Sequence, residues 1–431
     1  MKVWHEPENP ARSHGATRIR RQHIKMASMI LRSGAWWCVA ALTAWSAPAL
    51  AASSITYAEA LAHAKERAPS VAVIRASESV AEADSRAGGI YPNPSINGGT
   101  STQSARLSIG ASIPLAILGQ RSAALAAGRA EYAVAKLDSL SLLADVRATT
   151  GHAFVALWLA ERTARAREDA ARVSQRLEAA VKGRVELGSS PALEGLRAHA
   201  ERLRADVDAR SAQAAVDAAA ANLALWVGAP VDTTLRASGD PDVPDRVPGL
   251  RELSPRISQT PSVQRAFAEL AASEARASSE RVQLRPLMTL DLGADLFDPT
   301  LPGATNYHAQ IGLEVPLFNQ RGPLIEREQR KATLARSQVR AEQARLNAEL
   351  LATYRSFTAL SEQASTLLKE VVPAAESAAQ ATEESYTLGR APLVSVLDAE
   401  RARIDAHLTW VGTEGARADA WIDLERALGM Q

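Results

Sequence analysis

The feature that most constrains this chain is an internal duplication. Residues Leu187–Pro191 (LGSSP) return as Leu388–Pro392 (LGRAP), an offset of 201 residues. The same offset places Gly228 on Gly429. Upstream, residues 109–115 (IGASIPL) return as residues 311–317 (IGLEVPL). Each copy reads as helix, strand, strand, long helix and helix, so the sequence predicts one structural unit present twice.

The duplication divides the 431 residues into four predicted segments. These are a signal peptide at residues 1–51, a first repeat at 52–230, a linker at 231–253 and a second repeat at 254–431. The net charge is only +1, which gives no sign of a nucleic-acid partner held by bulk electrostatics.

The signal peptide is predicted from three parts in the usual order. A basic region with Arg18, Arg20, Arg21, Lys25 and Arg32 precedes an apolar run from Ala35 to Ala44, and the small-x-small sequence Ala49-Leu50-Ala51 follows. The alternative is a membrane anchor, but the run is too short to cross about 30 Å of hydrocarbon. We expect cleavage near Ala51. Translation starts at Met1, Met26 or Met29, since the residues before the later methionines are long and polar for a signal.

The single cysteine, Cys38, lies inside that apolar run and would be removed with it. It follows Ala35-Trp36-Trp37, a sequence that does not favour lipid attachment. The mature chain would therefore contain no disulfide, no thiolate metal site and no cysteine nucleophile.

Two helices are predicted to be far longer than those of an ordinary domain. No proline occurs between Pro114 and Pro191, and a helix from about Arg121 to Leu187 would extend about 100 Å. The matching run continues from Pro323 to Val372, where Pro373 is expected to kink or interrupt it. Helices of this length indicate a coiled-coil-like assembly. The Leu-Gly-x-x-Pro sequences predict tight turns, in which glycine ends one helix and proline opens the next at its first turn.

Between the first and second helix of each unit the hydrophobic period changes to two. From Tyr307 to Val315 and from Met288 to Leu296 apolar and polar residues alternate, and residues 106–113 and 95–101 repeat the pattern more weakly. One interpretation is an ordinary antiparallel sheet with one buried face, and the other is a set of transmembrane barrel strands. Four strands cannot close a barrel, which needs about eight, so in the second interpretation several chains contribute to one barrel. The predicted pore-lining residues are Asp291, Asp295, His308, Gln310 and Glu314.

In this arrangement the chain resembles the TolC-type outer-membrane efflux proteins. The resemblance covers about Ser54 to Gly429 and includes YPNP at residues 91–94, LGQR at 118–121 and VPLFNQ at 315–320. It implies an α+β membrane protein of a Gram-negative bacterium: a homotrimer whose twelve strands form an outer-membrane barrel above a twelve-helix periplasmic tunnel. Residues 93–94 and 119–121 are most similar to the subgroup that serves heavy-metal cation efflux. The implied partners are outer-membrane lipid, a periplasmic adaptor and an inner-membrane transporter of the resistance-nodulation-division type.

The resemblance also assigns roles to the helical turns, which form the periplasmic tip in this family. The implied docking residues for the adaptor are Leu187, Gly188, Pro191, Leu388, Gly389, Arg390 and Pro392. The implied gate consists of Tyr386, Ser395 and Asp398, where Ser395 replaces a second aspartate of the family pattern. The offset places Val185, Glu194 and Arg197 opposite these three in the first repeat. For Asp398, an ordinary carboxylate on a helix surface is the alternative.

The sequence offers no motif for catalysis, a cofactor or a bound metal. The five histidines after residue 51 are never three or four residues apart, and His308 reads as a solvated side chain rather than a metal ligand. Phosphate-binding glycine loops and nucleophile motifs are absent from the sequence. We therefore expect no enzyme but a passive exit duct of a tripartite efflux pump. Two alternatives remain: the exit channel of a type I secretion system, and a periplasmic adaptor or structural coiled-coil protein, which would carry one hairpin instead of two repeats.

Overall fold

The computed structural model describes residues 53–100, 107–230, 233–297, 303 and 305–430. The predicted signal peptide and Cys38 lie outside these ranges. The first part of the described chain contains β1 (Ser53–Ile55), α1 (Tyr57–Arg67), α2 (Pro69–Ala87), β2 (Ser95–Gly99), β3 (Leu107–Leu115), α3 (Gln120–Glu186) and α4 (Ala192–Val227).

The second part repeats this order after a short link. It contains β4 (Leu235–Ala237), α5 (Leu250–Leu253), a 3₁₀ turn (Ser254–Gln259), α6 (Pro261–Val282), β5 (Leu287–Leu296), β6 (Asn306–Glu314), α7 (Gly322–Thr366), a π turn (Leu367–Val371), α8 (Val372–Thr387) and α9 (Leu393–Ala427). The sequence α2-β2-β3-α3-α4 thus returns as α6-β5-β6-α7-α8-α9.

Helix α3 is an unbroken α-helix of 67 residues, so it extends about 100 Å as predicted. Its buried face is rich in alanine, which lets neighbouring helices approach closely. The largest buried side chains lie near its middle, where Phe154 and Leu157 pack with Leu223 of α4 and Ile422 of α9. The ring of Tyr57 meets Phe154 edge-on at 5.5 Å between centroids. The main core therefore lies halfway along the long helix.

The link between the repeats contacts this middle level. Strand β4 pairs in parallel with β1, and the backbone N–H of Ala237 donates to the buried carboxylate of Glu161 at 3.1 Å. The indole N–H of Trp158 donates to Asp240 at 3.0 Å. These contacts hold the link, and through β4 the first described strand β1, against α3. We call this level the central belt.

Within the described residues, four elements lie side by side at each level. The sheet has the order β2-β3-β5-β6. On the sheet side of the central belt the helices pack in the order α2-α3-α6-α7. On the other side they pack in the order α4-α3-α9-α8. No helix in the described ranges is both long and apolar enough to cross a membrane.

The second long helix differs from α3 at the place that proline predicts. Helix α7 ends at Thr366, and a π turn leads into α8, whose second residue is Pro373. Proline has no N–H to donate, and its ring would collide with the carbonyl group four residues earlier, so a wider turn accommodates it. The interruption is therefore a local π turn within one continuous rod.

Candidate functional site

The four-stranded sheet places polar residues opposite polar residues. Across β5 and β6, Asp291 faces Gln310 and Asp295 faces Asn306, whereas Leu290 faces Ile311. Strand β3 continues the pattern on the other side of β5, where Ser112 faces Asp291. Because side chains alternate between the two faces of a strand, this register produces one polar and one apolar face.

The apolar face of the sheet is exposed in the single chain. Ile96 is 82% exposed, Tyr307 83% and Ile311 66%, and all three lie on this face. An ordinary antiparallel sheet would bury such a face against a core. The exposed apolar face therefore favours the transmembrane interpretation of the alternation.

The structure places the five predicted pore-lining residues on the polar face. The hydroxyl group of Thr289 donates to Asp291 at 3.1 Å. The imidazole of His308 lies over Gly293, where an added Cβ would come within 2.4 Å of Nε2, and its Nδ1 is 3.7 Å from Asp295. Gln310 lies between His308 and Glu314 at alternate positions of β6. These charges all belong to the second repeat, since β2 and β3 present serine, asparagine and glycine on this face.

The two Leu-Gly-x-x-Pro turns lie together at the far end of the long helices. Gly188 and Gly389 have φ angles of 69° and 71°, in the left-handed region that favours glycine. In each turn the glycine N–H donates to a carbonyl oxygen in the last turn of the preceding helix. Gly188 donates to Val185 at 3.0 Å, and Gly389 donates to Tyr386 at 2.9 Å. Pro191 and Pro392 each immediately precede a helix instead of forming its first turn.

The outer surface of this tip is apolar. Leu187 is 84% exposed and Leu388 66%, and both lie beside the turn glycines. Leu193, Leu196 and Val394 extend the same surface onto the following helices. We call these five residues the tip patch.

Comparison with known proteins finds similarity to outer-membrane efflux proteins. Residues 254–430 match the model of the family described as outer membrane efflux protein. The cobalt-zinc-cadmium resistance protein CzcC of Cupriavidus metallidurans is 27% identical in an alignment 368 residues long, and the alignment covers 81% of this chain and 85% of that protein. The second repeat of this chain thus matches the outer membrane efflux protein family, and the similarity to CzcC extends over most of the chain.

Two solved structures of membrane proteins share the fold of this chain. The structure of CusC has a TM-score of 0.73 at 18% identity, covering 86% of this chain and 91% of that chain. The structure of VceC from Vibrio cholerae has a TM-score of 0.72 at 16% identity, covering 86% and 96%. At these identities the likeness concerns the fold alone.

Tyr386 lies inside the tip. It is 5% exposed and packs in a cluster with Val181, Ala198 and Leu393, which belong to three other helices. The guanidinium group of Arg184 lies 4.7 Å from the ring centroid and also donates to the Tyr386 carbonyl oxygen at 3.1 Å. Burial raises the pKa of Tyr386. The structure thus joins Tyr386 to the first repeat through Arg184, a contact that the sequence analysis missed.

Asp398 lies on the surface of α9. Its side chain is 66% exposed, and its ion pair within the described chain is with Arg401 at 3.8 Å. Arg401 also donates to Glu201 on α4 at 3.1 Å, which joins the two repeats. Ser395 is half-buried one turn before Asp398. Glu201 and Arg401 are 200 residues apart, close to the repeat offset of 201, so they occupy nearly equivalent positions on α4 and α9. A search for opposite charges at equivalent positions of the two repeats could have found this pair.

A charged cluster in the central belt also escaped the sequence analysis. His152 on α3 lies between two carboxylates of α9, with Nδ1 2.7 Å from Asp419 and Nε2 3.3 Å from Asp423. Hydrogen bonds to Asp419 and then Asp423 raise the pKa of His152 to about 9. His152 is separated from these residues by far more than the repeat offset, so no periodicity connects them. Within the described residues, no group of three or more His, Cys, Asp or Glu side chains is arranged to hold a metal ion.

Proposed function

We propose that three copies of this chain form an outer-membrane channel, which serves as the exit duct of a tripartite efflux pump for heavy-metal cations. The observation that carries the proposal is the four-stranded sheet, which has one exposed apolar face, one polar face and two open edges. Such a sheet is stable in lipid only when other chains complete it, because an unpaired edge is costly there.

The number of copies follows from the size of a barrel. Two copies would supply eight strands, which give an interior that side chains fill. Three copies supply twelve strands and leave an aqueous passage lined by the polar face. The helices are consistent with the same assembly, because each level of the described chain also contributes four elements with two free edges.

The chemical class of the cargo is supported by two observations. The similar protein from Cupriavidus metallidurans is named for resistance to cobalt, zinc and cadmium. Asp291 and Asp295 would form rings of carboxylates along the barrel in a trimer, and such rings favour cations. The cations are cargo, which passes through without a resident metal site.

The tip carries the proposed docking and gating residues. The tip patch, together with Gly188, Gly389 and Arg390, would meet the periplasmic adaptor, since exposed apolar patches mark interaction surfaces. Asp398 would guard the mouth as an exposed carboxylate, with Ser395 beside it. Tyr386 would act from inside, because it packs between the hairpins of both repeats. The inner-membrane transporter would supply the energy for export.

Deletion of this chain in its host tests the proposed function. We expect the deletion strain to accumulate cobalt, zinc or cadmium and to grow poorly on them, and the wild-type chain should restore both. Unchanged metal content together with the loss of a secreted polypeptide would instead assign the channel to type I secretion. A variant with lysine at Ile311 serves as the negative control for rescue, since it should fail to assemble in the membrane.

The proposed gate has its own test. Asp398→Ala should raise single-channel conductance or weaken block by divalent cations, because it removes a charge from the mouth. Asp405→Ala, a matched exposed carboxylate further along α9, should leave both values unchanged. Equal behaviour of the two variants would remove Asp398 from the gate and leave the channel proposal standing.

A further inference from the structure

The two aspartates on the polar face of β5 have different partners. Asp291 accepts a hydrogen bond from the hydroxyl group of Thr289, on its own strand, at 3.1 Å. Asp295 instead lies 3.7 Å from Nδ1 of His308, on the neighbouring strand β6. No histidine or carboxylate lies three or four residues from His308 in the sequence, so spacing alone does not reveal this pair. One aspartate therefore has an oxygen partner and the other a nitrogen partner.

A glycine makes room for the imidazole of His308. In the register of β5 and β6 His308 faces Gly293, and Asp295 lies two positions further along β5. A Cβ at Gly293 would collide with the imidazole, so the ring can lie over this position because it has no side chain. From there the ring reaches its diagonal neighbour Asp295, a span that long side chains cover across an antiparallel pair. The sheet thus holds His308 beside one of the two aspartates.

A second glycine serves the other aspartate. Gly312 faces Thr289 in the same register, and a Cβ there would collide with the Thr289 hydroxyl group. Thr289 and Asp291 supply only oxygen atoms, which suit hard cations such as Mg²⁺. An imidazole nitrogen beside a carboxylate is better suited to Zn²⁺, Co²⁺ and similar transition-metal ions. The polar face therefore carries two aspartates whose surroundings favour different cations.

The separation of His308 and Asp295 matches what one metal ion requires. Two ligand atoms of a tetrahedral zinc site lie about 3.4 Å apart, since each is about 2.1 Å from the metal. The 3.7 Å between His308 Nδ1 and the Asp295 carboxylate is close to this value. Copies that join at the strand edges leave the polar face open to the passage. The pair therefore stays accessible to ions in the proposed trimer.

We propose that His308 and Asp295 form a labile contact for transition-metal ions on the wall of the passage, which gives the channel a preference for Zn²⁺ and Co²⁺ over Mg²⁺. This selectivity rests on the proposed function. Two protein ligands leave the other positions around the ion to water, so the ion exchanges readily. Conduction needs such weak binding, because an ion that is held tightly does not leave. Gly293 is a positioning residue, which acts by admitting the imidazole.

Cobalt binding to the untagged full-length protein in detergent tests the pair without any channel activity. Equilibrium dialysis against Co²⁺ would be done in excess Mg²⁺, which occupies sites made of oxygen alone. We expect His308→Ala and Asp295→Asn to weaken one Co²⁺ site per chain about tenfold, since each variant keeps a single ligand. Asp291→Asn is the matched control and should bind Co²⁺ as the wild type does. Equal binding by the wild type and His308→Ala would overturn the proposal.

Glycine variants test how the imidazole is positioned. Gly293→Ala keeps both ligands but displaces the ring, so it should lose the same Co²⁺ site. Gly312→Ala adds a side chain to the same face but displaces Thr289 instead, so it should keep that site. The mass of the native complex checks that both variants assemble as the wild type does. Loss of the site in both variants, or in neither, would overturn the positioning role of Gly293.

Ion selectivity connects the pair to transport. In the wild type the reversal potential should be larger in a CoCl₂ gradient than in an equal MgCl₂ gradient, and His308→Ala should abolish the difference. Asp291→Asn should lower both potentials and keep their difference. A difference that persists in His308→Ala would overturn the role of the pair in selectivity. A wild-type protein that conducts no ions would contradict the proposed function, while the dialysis comparison would still decide whether the pair binds metal.

Discussion

The two repeats share an outline but differ in what they contribute. Both provide strands with an apolar face and a helical hairpin closed by a left-handed glycine. The first repeat adds an unbroken rod and uncharged polar strands, whereas the second adds a π turn and the charges of β5 and β6. The shared features, the apolar strand faces and the closed hairpins, are those that every repeat around the proposed channel wall needs. The features that differ concern the proposed cargo path and the course of the second hairpin.

The largest effect is expected on the apolar face of the sheet, which both repeats must keep uncharged. Ile311→Lys on β6 and Ile109→Lys on β3 each place a charge on the apolar face, at a cost of about 2–4 kcal/mol per strand at the membrane midplane. Both variants should fail to assemble in the outer membrane, as measured by fractionation. Gln310→Lys on the polar face should assemble normally. Normal assembly of Ile311→Lys would show that the strand faces are assigned wrongly.

The turns should respond equally in the two repeats. Gly188→Ala and Gly389→Ala each force a side chain into the left-handed region, which costs about 1–2 kcal/mol. The apparent Tm of the detergent-extracted protein should fall by the same amount in both variants. Gly183→Ala, in a regular helix, should not lower it. A fall in only one turn variant would break the equivalence of the two hairpins.

Changes on the polar face should alter cation preference in the second repeat and not in the first. Replacing both Asp291 and Asp295 by asparagine removes carboxylates from the polar face, so the preference for cations should weaken. The reversal potential in a salt gradient measures this preference. Ser108→Ala and Ser112→Ala, on the same face of the first repeat, should leave it unchanged. A selectivity that is insensitive to the aspartates would place the filter elsewhere.

The smallest effect is expected at the ion pair that joins the repeats in the central belt. The pKa of His152 is raised to about 9 from an ordinary 6.5, so the contact stabilises fully below about pH 6.5 and is lost as pH rises through about 9. The apparent Tm should therefore fall slightly more between pH 6.5 and 9.5 in the wild type than in His152→Gln. The imidazole is partly exposed, and solvent screening limits the size of the effect. Parallel pH profiles would remove this pair from the stabilising contacts.

Local patterns predicted the elements of this fold well. The long interval without proline predicted α3, the Leu-Gly-x-x-Pro sequences predicted the turns, and alternation predicted which strand residues share a face. Contacts between distant positions were less accessible, because they depend on how helices pack. Arg184 meets Tyr386, and His152 meets Asp419, from opposite repeats. The proline signal located the break before α8, but the π form of that turn was visible only in the structure.

The central claim is that three chains complete one wall, and the mass of the native complex tests it most directly. The outer-membrane fraction would be extracted in mild detergent and sized by light scattering with correction for bound detergent. The account predicts three copies of the chain per complex in that fraction. A soluble periplasmic monomer would contradict it.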